Sequence, residues 1–349
     1  MSGDRHDVME REDLNDSTVV SSIAIPPSVQ DHLEQLHSGS SYTHYSDVPE
    51  RIVLNDASKS AGPLSGTPVV LGVDEAGRGP VIGPMVYGIF YLPVEIQHQL
   101  LVTKHHFDDS KVLTPATRAR LMRDICTEGT DLFQSCGWAI KSLSAQDISA
   151  GMLRHGGSYN LNAQAMDATI AVVRGVLEKG VNVREVYIDT IGKPEVYQRK
   201  LELIFPNISI TVAKKADSLY PCVSAASVVA KVTRDVSCEV LYSAVSATEA
   251  VQDLEEVGWG SGYPSDGRCI AWMRNNMHST FGWGPECRFS WGTVKDLLEA
   301  PKADVVEVRW PDDETTNSLS QYFDGGAKTT KTEAVDLRNW YGESAISIF

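Results

Sequence analysis

The 349-residue chain has no apolar run near the ~20 residues that a membrane-crossing helix needs. Its longest run, Val81 to Val94, is interrupted by Gly83, Pro84, Gly88 and Pro93. No two of the six cysteines form a CxxC pair; Cys126, Cys136, Cys222, Cys238, Cys269 and Cys287 are irregularly spaced. That argues against a structural zinc site and for reduced, mostly buried thiols. The start of the chain lacks the cationic and apolar regions of a secretory signal, and it is too acidic for a mitochondrial presequence. By elimination a soluble intracellular location is expected. Positive charge is also scarce: 31 Lys and Arg stand against 46 Asp and Glu, a net of −15. A uniformly acidic protein would repel a polyanion, but the charge is uneven. Residues 1–66 carry 4 basic and 11 acidic side chains, a net of −7; residues 67–300 carry 22 and 26, and residues 301–349 carry 5 and 9. The acidity lies mostly in the tails, so the middle segment remains open to an anionic substrate.

Hydrophobic content of 42% and charged content of 22% fit a globular protein with a sizeable core. Residues 1–66, rich in Ser, Asp, Pro and Gly, read as a mostly disordered acidic extension, with Tyr42 to Leu54 a candidate edge addition to the core. Val69 to Val73 and Met85 to Tyr91 read as paired strands. Thr114 and Pro115 predict a helix start, as N-cap and N1. Further helices are expected over Ser144–Leu153, Asn160–Lys179, Pro194–Phe205 and Leu219–Val245, with strands at Arg184–Thr190 and Ile208–Lys214. The order implies a mixed α/β domain over 67–245. A helical C-terminal extension follows over 246–310, then a disordered acidic tail over 311–349.

Chemistry concentrates at Leu71-Gly-Val-Asp-Glu-Ala-Gly-Arg-Gly-Pro80. An apolar strand there ends in adjacent carboxylates, Asp74 and Glu75, followed by a Gly77-Arg78-Gly79 turn whose backbone a ligand can approach closely. Successive strand residues face opposite ways, so the strand is expected to end or bulge at Glu75 if the pair serves one site. Asp189 closes an apolar strand, as a sheet-edge ligand or an ordinary turn residue. Asp217 precedes a long helix, as a ligand or an N-cap. Four carboxylates from three segments suit two Mg²⁺ or Mn²⁺ ions about 4 Å apart that share substrate phosphate oxygens.

Several motifs recur in order: Asp74-Glu-Ala-Gly-Arg-Gly79, Asp109-Ser-Lys111, Ser158-Tyr-Asn-Leu-Asn162, Tyr187-Ile-Asp189, Lys215-Ala-Asp217, Ser224-Ala-Ala-Ser-Val-Val-Ala-Lys231, Gly260-Ser-Gly-Tyr-Pro-Ser-Asp266 and Arg288-Phe-Ser-Trp291. From about residue 68 to 299 the chain resembles the type 2 ribonuclease H (ribonuclease HII) family, in particular its eukaryotic catalytic A subunits. The resemblance implies a ribonuclease H-like fold, with a five-stranded mixed sheet flanked by helices. It implies that Asp74, Glu75, Asp189 and Asp217 are the metal-binding catalytic carboxylates, with Mg²⁺ or Mn²⁺ as cofactor. It also implies that the backbone of Gly77, Arg78 and Gly79 reads the ribose 2′-hydroxyl, while Tyr263 stacks on the next sugar. A hydroxyl is both donor and acceptor, so a substrate lacking it leaves the turn's groups unpaired.

Ser110 and Lys111 are candidate phosphate contacts. Lys214, Lys215 and Lys231 are phosphate contacts or solvated lysines. Asn160 and Asn162 contact the DNA strand or cap the long helix. His105 and His106 read as surface residues, and His278 as a surface residue or helper base. The activity implied is endonucleolytic hydrolysis of RNA in RNA/DNA hybrids and incision 5′ of single ribonucleotides in duplex DNA. The products carry 3′-hydroxyl and 5′-phosphate ends, as in ribonucleotide excision and primer removal. Accessory subunits B and C in a heterotrimer, a contact near Phe289 to Trp310 and a nuclear location are implied as well. Leu319, Tyr322 and Phe323 resemble a degenerate sliding-clamp box, with Thr316 in place of glutamine. The alternatives are a type 1 ribonuclease H and a non-catalytic nucleic-acid-binding scaffold of the same fold.

Overall fold

Residues 25–52, 66–107, 112–154, 159–190, 192–246 and 258–300 are described by a computed structural model. In chain order the elements are α1 (Pro27–Gln30), α2 (Leu33–His37), β1 (Tyr42–Tyr45), β2 (Val69–Ala76), β3 (Met85–Pro93), α3 (Pro115–Cys126), α4 (Asp131–Ser135) and β4 (Gly137–Leu143). There follow α5 (Ala145–Met152), α6 (Leu161–Glu178), β5 (Val183–Asp189), α7 (Pro194–Ile204), β6 (Ser209–Ala213), α8 (Pro221–Ser246), α9 (Gly267–Asn275) and α10 (Gly292–Leu298).

The sheet is mixed, in the order β1-β4-β3-β2-β5-β6. β2 pairs antiparallel with β3 and parallel with β5, and β5 pairs parallel with β6. It therefore has six strands where five were expected. The sixth, β1, runs antiparallel to β4. It lies in the Tyr42–Leu54 stretch read as a candidate edge addition, within a segment otherwise expected to be mostly disordered, in which Val29, Leu36, Tyr42 and Ile52 are buried. β4 was not anticipated. Its run Gly-Trp-Ala-Ile-Lys-Ser-Leu is short, and only pairing with β3 on one side and β1 on the other makes it a strand.

The central strand β2 is apolar on both faces because helices cover both. Leu71 and Val73 pack with α6 and α7 residues such as Val172, Val176 and Leu201. Val70 faces the opposite core, built on α8. Sixteen of the 26 residues of α8 are buried, in keeping with its mostly small and apolar sequence. The helix lies on the sheet at very short range. A Cβ on Gly72 would stand 2.3 Å from the Cys222 carbonyl, and one on Gly88 would stand 2.6 Å from the Ala226 carbonyl and 2.9 Å from the Ala230 methyl. Cys222, Ala226 and Ala230, at four-residue spacing, form the matching stripe of small side chains. This contact fixes the start of α8 beside the end of β2.

Candidate active site

Two of the four acids come from β2. The strand runs unbroken through Glu75 to Ala76 in register with β3, pairing Asp74 with Gly88 and Glu75 with Tyr87. The end or bulge expected at Glu75 is absent on that side. Pairing with β5 instead stops at Val73 and Ile188. The two carboxylates thus leave opposite faces of a strand with one side open, Asp74 toward α8 and Glu75 toward α6. One register step beyond Val73, Asp74 stands level with Asp189, the last residue of β5.

The Asp189 Oδ1 accepts from the Ala216 amide at 2.8 Å, so this carboxylate anchors the turn that carries Asp217. That turn is a single 3-10 turn, Ala216–Ser218, entered through left-handed Lys215 at φ 57°. Asp217 is buried, and its Oδ1 accepts from Ser218 N at 3.1 Å. α8 starts only at Pro221, so Asp217 is not its N-cap. Burial first, then the Glu75, Asp189 and Asp217 carboxylates, hold Asp74 well above the usual carboxylate range. Burial also pushes Glu75 up to about 7, with Arg78 pulling down and Asp189 pushing up. Four acids from three segments repel one another at one sheet edge.

The turn beside them is held from behind. Arg288 is fully buried, and its guanidinium donates to the carbonyls of Gly77 (2.6 Å), Arg78 (2.9 Å) and Gly83 (3.0 Å). The Trp291 indole donates to the Gly79 carbonyl at 3.1 Å, and Arg288 lies 4.9 Å from the centre of its ring. All three carbonyls of the turn are therefore engaged by one C-terminal segment. The amides of Arg78 and Gly79 donate to no acceptor among the described residues. Burial, then neighbouring Arg234, lowers the Arg288 pKa to about 9, which leaves it charged at neutral pH. A positive charge behind the turn and unengaged amides on it favour an electron-rich ligand oxygen.

Tyr263 is brought alongside. The Gly262 carbonyl accepts from Val81 N at 2.8 Å, and Arg234 donates to the Ser261 carbonyl at 3.0 Å. A Cβ on Gly79 would lie 2.9 Å from the Tyr263 ring, which is 42% exposed.

The Ribonuclease HII family profile matches residues 71–294. The chain belongs to the ribonuclease HII family. It is 51% identical to the A subunit of ribonuclease H2 from Neurospora crassa, over 92% of this chain and 95% of that one. To the A subunit of human ribonuclease H2 it is 43% identical, over 73% and 82%. A solved ribonuclease H2 from Pyrococcus horikoshii superposes with a TM-score of 0.52 at 28% identity, covering 66% of this chain and 97% of that one. The chain is thus an endoribonuclease of this family, as the motifs implied.

Ribonucleases H depend on divalent metal, and the donor set of this ribonuclease HII fits one: all oxygen and crowded with like charge. Among the described residues no three such side chains converge closely enough to enclose an ion unaided. Asp74, Asp189 and Asp217 each turn one oxygen to a backbone amide. Such a site suits an ion whose shell is completed by water and substrate oxygen.

Other expected residues are placed as follows. Asn160 caps α6, its Oδ1 accepting from Asn162 N and Ala163 N at 3.0 Å each. Asn162 Oδ1 accepts from the Arg78 guanidinium, which joins α6 to the turn. Lys231 pairs with Asp235 at 2.8 Å, and His105 with Asp131 at 3.0 Å. The His278 ring accepts from Thr280 N and Phe281 N, closing its own turn. Ser110, Lys111, Leu319, Tyr322 and Phe323 lie outside the described residues. Arg288, Trp291 and Arg234 were missed as functional residues. Their signal was a buried-type arginine within motifs otherwise rich in apolar and small residues.

Proposed function

We propose that Asp74, Glu75, Asp189 and Asp217 hold Mg²⁺ or Mn²⁺, and that the Gly77-Arg78-Gly79 backbone with Tyr263 selects a ribonucleotide 3′ of the bond to be cut. One observation carries this reading: the turn with inward-held carbonyls continues the very strand that supplies two of the four mutually repelling carboxylates. The metal, when bound, supplies charge stabilisation for the attacking and departing oxygens. The chain's own part is to place the phosphodiester between the two arms of the site. The turn's amides pair with the 2′-hydroxyl, and Tyr263 packs on the following sugar, where a second 2′-hydroxyl would crowd it.

The substrates are then RNA/DNA hybrids and duplex DNA with embedded ribonucleotides, as in ribonucleotide excision and primer removal. All four acids are present, which disfavours the non-catalytic scaffold, and the turn with Tyr263 disfavours a type 1 enzyme. Accessory subunits B and C and a nuclear location accord with the eukaryotic relatives. Sliding-clamp binding through Leu319, Tyr322 and Phe323 draws support from an archaeal relative solved as a PCNA:RNase HII complex, at 25% identity and TM-score 0.50.

The test is end mapping on an end-labelled DNA duplex with one ribonucleotide, using the full chain with its accessory subunits. Cutting on the 5′ side, with 3′-hydroxyl and 5′-phosphate products, is expected. Cutting on the 3′ side, or a cyclic phosphate product, overturns the reading.

A further inference from the structure

Glu75 and Asp189 also line a cavity of about 530 Å³ between α6 and α7. Arg78 is part of its wall, whereas Gly79 and Tyr263 are not. The far wall is α7 and its entry, with Lys193, Val196, Tyr197 and Lys200 facing the cavity. Tyr197 is fixed there by a 2.9 Å hydrogen bond to Thr169 on α6. Lys193 and Lys200 are exposed, and neither makes an ion pair among the described residues. Arg78, the third cation, is already committed to Asn162 and to the field of Glu75.

From this juxtaposition we infer that Lys193 and Lys200 form a phosphate-holding subsite for the substrate duplex on the side of the cut away from Tyr263. Any polyanion reaching Glu75 and Asp189 meets repulsion from them, and with Arg78 committed the positive charges left on this cavity's described lining are these two lysines. Their spacing of seven residues spans about 10 Å along a helix, which covers about three phosphates of one strand at 3.4 Å along the duplex axis. Lysine suits this task, since a mobile point charge follows a backbone without demanding one geometry. Tyr263 grips the strand 3′ of the ribonucleotide, so the strand reaching this cavity is the 5′ side of the cut strand. The inference rests on the ribonuclease reading above.

The experiment uses the full chain with its accessory subunits. Fluorescence anisotropy in EDTA measures binding of a single-ribonucleotide duplex across a salt series. The double variant Lys193→Ala/Lys200→Ala is expected to bind about tenfold more weakly near 0.15 M salt. Its log–log salt slope should be shallower by about 1.8, one step of about 0.9 per lost phosphate contact. With metal present its kcat stays within about twofold of the parent. Arg120→Ala, a 53% exposed arginine on α3, is the charge control and leaves both unchanged. Neutral methylphosphonates at three positions 5′ of the cut should weaken the parent similarly and erase the difference between parent and variant. Parental affinity and slope in the double variant overturn the inference. So does a deficit that persists undiminished on the methylphosphonate duplex. A parent that leaves the duplex intact with metal defeats the ribonuclease reading instead, while the EDTA binding data still decide the role of the lysines.

Discussion

Replacing Arg288 by lysine keeps the buried charge but removes the planar fork that reaches three carbonyls at once. An ammonium can retain one of the contacts to Gly77, Arg78 and Gly83. Two bonds with a charged donor are lost, at about 1.5–3 kcal/mol each, and the carbonyls left behind are at least partly buried. The stacking of the guanidinium on Trp291 goes too, worth about 0.5–2 kcal/mol. Allowing for a water that recovers part, the net loss is about 3 kcal/mol, or roughly 6–12 °C in Tm for a domain of this size. That leaves a marginally stable protein folded at 25 °C. The functional effect should be larger than the stability effect implies, because the freed carbonyls let the turn rotate and its amides lose their aim. Incision at a single embedded ribonucleotide should fall by at least tenfold in kcat/KM, about 1.4 kcal/mol of transition-state stabilisation. The assay pairs thermal unfolding with initial rates on single-ribonucleotide duplexes, at a temperature where both proteins are folded. A folded Arg288→Lys protein with parental Tm and parental kcat/KM would refute the clamp.

Two other outcomes follow from the same geometry. Glu75 has a folded-state pKa of about 7 against an ordinary 4.5, so between these values the folded chain binds more protons than the unfolded one. Metal-free stability should therefore decline as pH rises from about 4.5 to 7, by about 3 kcal/mol. Added Mg²⁺ or Mn²⁺ should raise Tm more at pH 8 than at pH 5.5, and an equal or reversed effect in differential scanning calorimetry counts against metal binding by these acids. Gly79→Ala places a methyl 2.9 Å from the Tyr263 ring, so the ring must move. Incision at single ribonucleotides should fall by about tenfold or more, with Tm changed by only a few degrees; parental incision rates would show that the contact is irrelevant.

Much of this was legible in the residues. The Asp-Glu-Ala-Gly-Arg-Gly stretch announced a carboxylate pair beside a close-approach turn, and the Thr114-Pro115 helix start is borne out. Three things were not legible, each because long-range contacts decide them. β4 is a strand only through its neighbours on both sides. The break at β2 was expected at Glu75 itself, yet it falls on one side only, since the β5 partner ends while the β3 partner continues. Arg288 stands more than 200 residues from the turn it holds, and an arginine that donates only to backbone carbonyls leaves no acidic partner in the sequence to reveal it.

The most direct test of the central claim is the incision rate of Asp217→Asn, and of Asp74→Asn beside it, on a single-ribonucleotide duplex with saturating Mg²⁺. The amide keeps the size of each side chain but removes a charge that a cation would need, so both proteins should fold with a Tm at or above the metal-free parent. Incision should drop by at least a thousandfold in each, about 4 kcal/mol. Folded variants that incise at the parental rate would contradict the assignment of these carboxylates as the metal-holding centre.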